Sequence, residues 1–122
     1  GSVLVVHASP RGDEEGILPT TTPEQLAPML EGVAAEWLFC GHTHQPSRHH
    51  VGRTTVVNEG AVGFPLDGDR RACYATAEST GHGWEVALHR VAYDVDAVVR
   101  EIEERALPAA PIFAGRLRRA AN

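Results

Sequence analysis

Short apolar runs alternate along the chain with loops rich in glycine and proline. Val3–Val6 is an unbroken apolar, largely β-branched run ending at His7, which reads as a strand buried on both faces, central in its sheet. A central strand so near the first residue implies neighbouring sheet contributed by a missing N-terminal segment or by a partner chain. Ala8–Thr21, with Pro10, Gly12, Gly16 and Pro19, reads as a loop. Thr22-Pro-Glu-Gln25 predicts a helix start: threonine as cap, proline at the first position, glutamine three residues on. Leu26, Met29, Leu30 and Val33 give that helix an apolar stripe, Pro28 keeps it short or kinks it, and Gly32 ends it.

Trp37–Cys40 predicts a short strand running into Gly41-His42-Thr43-His44, and Gln45–Gly52 reads as a polar loop. Further strands are expected at Arg53–Val57, Ala72–Ala77 and Trp84–Ala92, the last two forming a hairpin around Ser79-Thr-Gly-His-Gly83. Asp94 caps a helix through about Ala106, with Val95, Val98, Val99 and Ile102 on one face and Arg100, Glu101, Glu103 and Glu104 outside. Pro108 stops it, and Ile112 to about Ala120 forms a last helical segment. One strand, a helix, adjacent strands and terminal helices make an α+β pattern in a single domain spanning residues 1–122.

Composition narrows the functional classes. The 122 residues are 43% hydrophobic and 22% charged, as in ordinary globular domains. A formal charge of -5, with scattered arginines and no lysine, argues against a nucleic-acid surface, which needs clustered cations. No apolar run approaches the roughly 20 residues of a membrane helix, and no signal peptide is visible. Cys40 and Cys73, both in apolar strand segments, read as reduced thiols of a cytoplasmic protein.

The seven histidines carry the candidate chemistry. His7 and His42 stand where apolar strands end, and strand ends of a buried sheet share one rim where pockets form. His42 and His44 are one residue apart: extended backbone would point both to one side, whereas a turn lets them diverge toward two metals a few ångströms apart. Neutral imidazole suits Zn, Fe, Ni, Mn and Cu. The residue pattern alone leaves core or surface roles open for each of the three. His49 and His50 read as part of a solvent-facing turn, His82 and His89 as surface residues.

His7-Ala8-Ser9-Pro10, Phe39-Cys40-Gly41-His42-Thr43-His44 and Asn58-Glu59-Gly60-Ala61-Val62-Gly63 resemble, in order, the last motifs of the calcineurin-like metallophosphoesterase superfamily, in particular its small bacterial and archaeal phosphodiesterase-type members. Asp67-Gly-Asp-Arg-Arg71-Ala-Cys-Tyr74 resembles a further segment of that family. The resemblance implies the second half of a four-layer α-β-β-α sandwich, a mixed sheet with flanking helices and metals at its rim. It implies hydrolysis of a phosphomonoester or phosphodiester by a hydroxide held between two divalent ions (Mn, Fe, Ni or Zn), a small-molecule phosphoester as partner, His7 and His42 on one metal and His44 on the other. Asn58 and Arg71 are candidates to orient or neutralise the substrate phosphate, with a structural turn asparagine and a surface arginine as the alternative readings.

The family's first motifs, an Asp-x-His, a Gly-Asp-x-x-Asp and a Gly-Asn-His, have no counterpart here. Gly12-Asp13-Glu14 and Gly68-Asp69-Arg70 do not replace them, and Asn58 and Asn122 are the only asparagines. No residue of this chain is therefore assigned as the catalytic acid or base. Three histidines without a bridging carboxylate do not hold two cations about 3.5–4 Å apart against their repulsion, so the chain alone is expected to be inactive. Glu59 stands where the family commonly has proline and Ala61 where it has serine, which brings a carboxylate to the pocket and removes a hydroxyl. Two rival readings are a non-catalytic binding or regulatory module and a mononuclear zinc protein using the same histidines. An unpaired first strand would favour homo-oligomers or a partner chain.

Overall fold

The computed structural model describes residues 1–122. Strands β1 (Val3–Val5), β2 (Trp37–Cys40), β3 (Ser47–Val51) and β4 (Thr54–Asn58) form one mixed sheet in the order β1-β2-β4-β3, and β5 (Ala72–Thr80) and β6 (Gly83–Val91) form a separate antiparallel hairpin. Helices α1 (Pro23–Met29), α2 (Val95–Glu104) and α3 (Ala110–Arg119) complete the chain. This is the expected α+β class, with a mixed sheet and helices.

Connection lengths set the pairing. The long segments after β1 and β2 allow parallel crossovers, and β1, β2 and β4 run parallel, in registers Val3↔Trp37 and Trp37↔Thr55. β3 was not expected: its residues, Ser47-Arg-His-His-Val51, are too polar to read as a strand. Tertiary pairing overrides composition here, because the two-residue Gly52-Arg53 turn, with Gly52 at φ 59, folds β3 back antiparallel onto β4. The exposed arginine and His50 alternate with half-buried His49 and Val51, as an edge strand permits.

One face of the sheet is closed by α1. Leu38, Cys40 and Val56 pack with Ile17, Leu26 and Leu30, while Leu4 and Val6 join from β1. α1 begins as predicted: Thr22 and Gln25 form a reciprocal capping box, Pro23 occupies the first turn, and Pro28 lies within a helix of only 7 residues. Trp37 and Phe39 stack on the opposite face with ring centroids 6.3 Å apart. The Arg48 guanidinium lies over Trp37 at 5.8 Å, and Arg48 also donates to Val86 O of the hairpin at 2.7 Å.

β1 departs from its expected central position. It is the edge strand of the sheet, and Val5 is 72% exposed. Its apolar sequence suits a doubly covered strand, but within this chain only the α1 face is packed. The second core lies between α2 and α3, where Val95 and Val99 meet Ala114 and Leu117, with Phe64, Tyr93 and Ile102 around them. Asp94 caps α2 through Ala97 N at 2.8 Å. Val98, expected on the apolar face, is 38% exposed because α3 covers the Val95–Val99 side. No helix is long and apolar enough to cross a membrane.

Candidate metal-site rim

Parallel strands end on the same edge, so the sheet topology itself gathers the candidate residues. The C-terminal ends of β1, β2 and β4 deliver His7, the Gly41-His42-Thr43-His44 turn and Asn58-Glu59-Gly60 to one rim. Together with Phe64, this rim lines a cavity of about 390 Å³ that includes His7, His42, His44 and Glu59 and no arginine.

The three histidines are not equivalent. His7 and His42 are exposed, their rings lie edge to face with centroids 5.0 Å apart, and His7 Nε2 is 3.1 Å from His42 Nδ1. At that separation one ring N–H donates to the lone pair of the other. His44 is half-buried; its Nδ1 donates to Phe64 O at 2.8 Å, which leaves the lone pair on Nε2. His42 and His44 both have left-handed backbone, φ 62 and φ 58. This conformation costs a non-glycine residue about 1–2 kcal/mol.

Asn58 holds this strained turn. It is fully buried, and its Nδ2 lies 2.8 Å from Gly41 O, 2.8 Å from Thr43 Oγ1 and 3.2 Å from Ile17 O. Its Oδ1 accepts from Gly60 N at 3.0 Å. Asn58 was expected to touch substrate; its amide is instead buried beneath the rim and fully engaged with the chain's own backbone and with Thr43. Glycine is required at two neighbouring positions. At Gly60, φ 78 is left-handed and a Cβ would come within 3.0 Å of Cys73 Cβ. At Gly41, a Cβ would lie 3.1 Å from Glu59 Oε1.

Arg71, the other expected phosphate contact, is not among the residues lining the cavity. It pairs with Asp69, Nη2 to Oδ2 at 2.6 Å, and that hydrogen-bonded ion pair holds the Asp69 carboxyl well below the usual carboxylate range. His49 bonds Ser47 Oγ at 3.2 Å and His50 bonds Thr55 Oγ1 at 3.1 Å, so both belong to the β3–β4 hairpin. His82 is exposed in its turn as expected, whereas His89 is half-buried, stacked on Tyr74 and bonded to Thr76 Oγ1 at 2.7 Å.

Glu59 has a buried Oε2 without a hydrogen-bond partner. Burial pushes its carboxyl upward, against weaker opposing pulls from backbone hydrogen bonding and the charge of His7. Cys40, directly beneath, is pushed up to about 12 by burial first and then by the charge of Glu59, so its thiol is inert. Thr43 and Phe64 are site residues the sequence reading missed. Thr43 lies between two motif histidines without marking a role of its own, and the Phe64 contribution comes through a backbone carbonyl, which leaves no side-chain signal.

As a test of fit, two imidazole nitrogens each about 2.1 Å from one cation stand roughly 3.0–3.4 Å apart, and the observed 3.1 Å falls within that span. His44, oriented by a carbonyl on its other nitrogen, has the usual outer-shell support of a metal ligand. The donor set suits a divalent ion but is incomplete, since no three His, Cys, Asp or Glu side chains converge closely enough to share one.

Two measurements follow. Asn58→Ala leaves the Gly41, Thr43 and Gly60 partners unmatched and should lower stability by about 3 kcal/mol, read as a shift of the urea midpoint; an unchanged midpoint contradicts its structural role. A carboxyl whose folded value is raised resists ionisation in the fold, so Glu59 destabilises the protein increasingly as pH rises above its ordinary 4.5. Glu59→Gln should therefore raise the melting temperature at pH 7, with the gain disappearing at pH 4; an equal gain at both values contradicts the burial account.

The sequence profile of the calcineurin-like phosphoesterase superfamily domain matches residues 1–82. No curated protein sequence matches the chain. Among solved structures, a metallophosphoesterase from Sphaerobacter thermophilus aligns with TM-score 0.79 and 29% identity over 99% of this chain and 56% of its own. The hypothetical protein PH1004 from Pyrococcus horikoshii OT3 shares the fold at TM-score 0.78 and 23% identity, over 94% of this chain and 45% of its own. The chain thus spans about half the length of the structures it matches. With more than half its residues matched by the family profile, the chain belongs to the calcineurin-like phosphoesterase superfamily.

Proposed function

We propose that this chain supplies the histidine half of a two-metal phosphoesterase centre, hydrolysing a phosphomonoester or phosphodiester once the remaining ligands join from an N-terminal segment or partner chain. The observation that carries the reading is the unequal bonding of the three rim histidines: His7 and His42 face each other at 3.1 Å, while His44 Nδ1 is bonded to Phe64 O. That difference supports assigning His7 and His42 to one cation and His44 to a second. It speaks against a mononuclear zinc centre on all three, because the three imidazoles do not converge. A purely structural module would have no evident use for two exposed imidazoles facing one another beside a strained turn.

The divalent ions (Mn, Fe, Ni or Zn), when bound, supply Lewis-acid polarisation of the phosphoryl group and a lowered water pKa. The chain's own part is orientation. Asn58 locks the Gly41–Thr43 turn that carries His42 and leads into His44. Phe64 O fixes which nitrogen His44 presents. The cavity offers no arginine to a phosphate, so neutralisation of the substrate must come from the cations and from residues outside this chain. Arg71 is paired with Asp69 and does not line the cavity.

Combining the chain with its missing segment and Mn²⁺ should restore hydrolysis of a chromogenic phosphodiester with two metal ions per complex. His42→Ala should reduce turnover to background and lower the metal content. Full metal loading without turnover across Mn, Ni, Fe and Zn would support the binding-module alternative instead.

A further inference from the structure

The segment following the glycine-rich motif, Phe64 to Gly68, is gripped from two sides. On one side Leu66 N donates to His44 O at 3.1 Å, and His44 Nδ1 donates to Phe64 O at 2.8 Å. On the other, Gly68 N donates to Ala120 O, at the end of α3, at 2.8 Å. The Phe64 ring completes the bridge. It meets the His44 ring edge to face, with centroids 6.0 Å apart at 80°, and meets Phe113 of α3 in the same manner, at 6.0 Å and 70°.

We infer that helix α3 sets the orientation of His44 through Phe113 and Phe64, making both phenylalanines positioning residues for the rim; the inference rests on His44 being a metal ligand. His44 needs such support, since its backbone is left-handed and it is not a glycine. Two hydrogen bonds fix its backbone and Nδ1, but the ring plane also needs a neighbour, and Phe64 is the one aromatic against it. Phe64 packs at the edge of the α2–α3 core, and Phe113 is the aromatic of α3 that meets its ring. Phe113 is 42% exposed, so filling the core is not its main contribution. α3 itself is anchored by Ala114 and Leu117 on Val95 and Val99 of α2, so the terminal helix pair is mechanically joined to the metal rim.

Long-range ¹H–¹⁵N correlation spectra of the histidines, recorded on the metal-free chain, test this directly. The wild type should show His44 as a single tautomer with the proton on Nδ1. Phe113→Leu, which keeps apolar volume but removes the ring, should lose that single-tautomer pattern and give a mixture; Phe113→Tyr should keep it. The Asn58 side-chain amide signals should stay unchanged in both variants. Retention of the wild-type His44 pattern in Phe113→Leu overturns the inference, as does simultaneous loss of the Asn58 signals, which would mark a general collapse of the rim. Because the tautomer is read without metal, this failure is distinct from that of the ligand assignment, which would appear as undiminished metal content in a reconstituted His44→Ala enzyme.

Discussion

A single buried amide organises the rim. Asn58 ends the central strand β4, and the sheet register sets it opposite Cys40, the last residue of β2. From there its Nδ2 reaches Gly41 O and Thr43 Oγ1, and its Oδ1 takes Gly60 N. These bonds join the two turns that carry His42, His44 and Glu59. A buried amide with matched partners is worth more than its hydrogen bonds would be in water, because each partner would otherwise be stranded without solvent. The turn that Asn58 holds is the one in which His42 and His44 take left-handed backbone.

The electrostatics of the rim follow from the same packing. Arginines are spent on carboxylates elsewhere: Arg90 on Asp67, Arg71 on Asp69 and Arg11 on Glu15, whose carboxyl is drawn down to about 2. The cavity keeps three imidazoles and one desolvated carboxyl, Glu59. The exposed β1 edge has the matching geometric character, an apolar strand with one face packed and Val5 bare.

Much of this was legible in the sequence because local and global signals agreed. Thr22-Pro-Glu-Gln25 and Asp94 both encode caps, and the structure forms both. The ordered histidine and glycine motifs located the rim. Four features were not legible. β3 is polar and exists only because Gly52 folds it onto β4. The edge position of β1 depends on what lies beside it, not on Val3–Val5, whose composition suits a centre equally well. The part of Asn58 stayed open, since an asparagine beside a phosphate and one locking a turn look alike until burial is known. Phe64 was invisible because its contribution is a carbonyl.

The central claim is that His7 and His42 converge on one cation. The most direct measurement is anomalous scattering from a crystal of the chain soaked with Zn²⁺. The account predicts a peak about 2.1 Å from both His7 Nε2 and His42 Nδ1. A peak bound by His49, His50 or surface carboxylates, with the His7–His42 pair left empty, would contradict it.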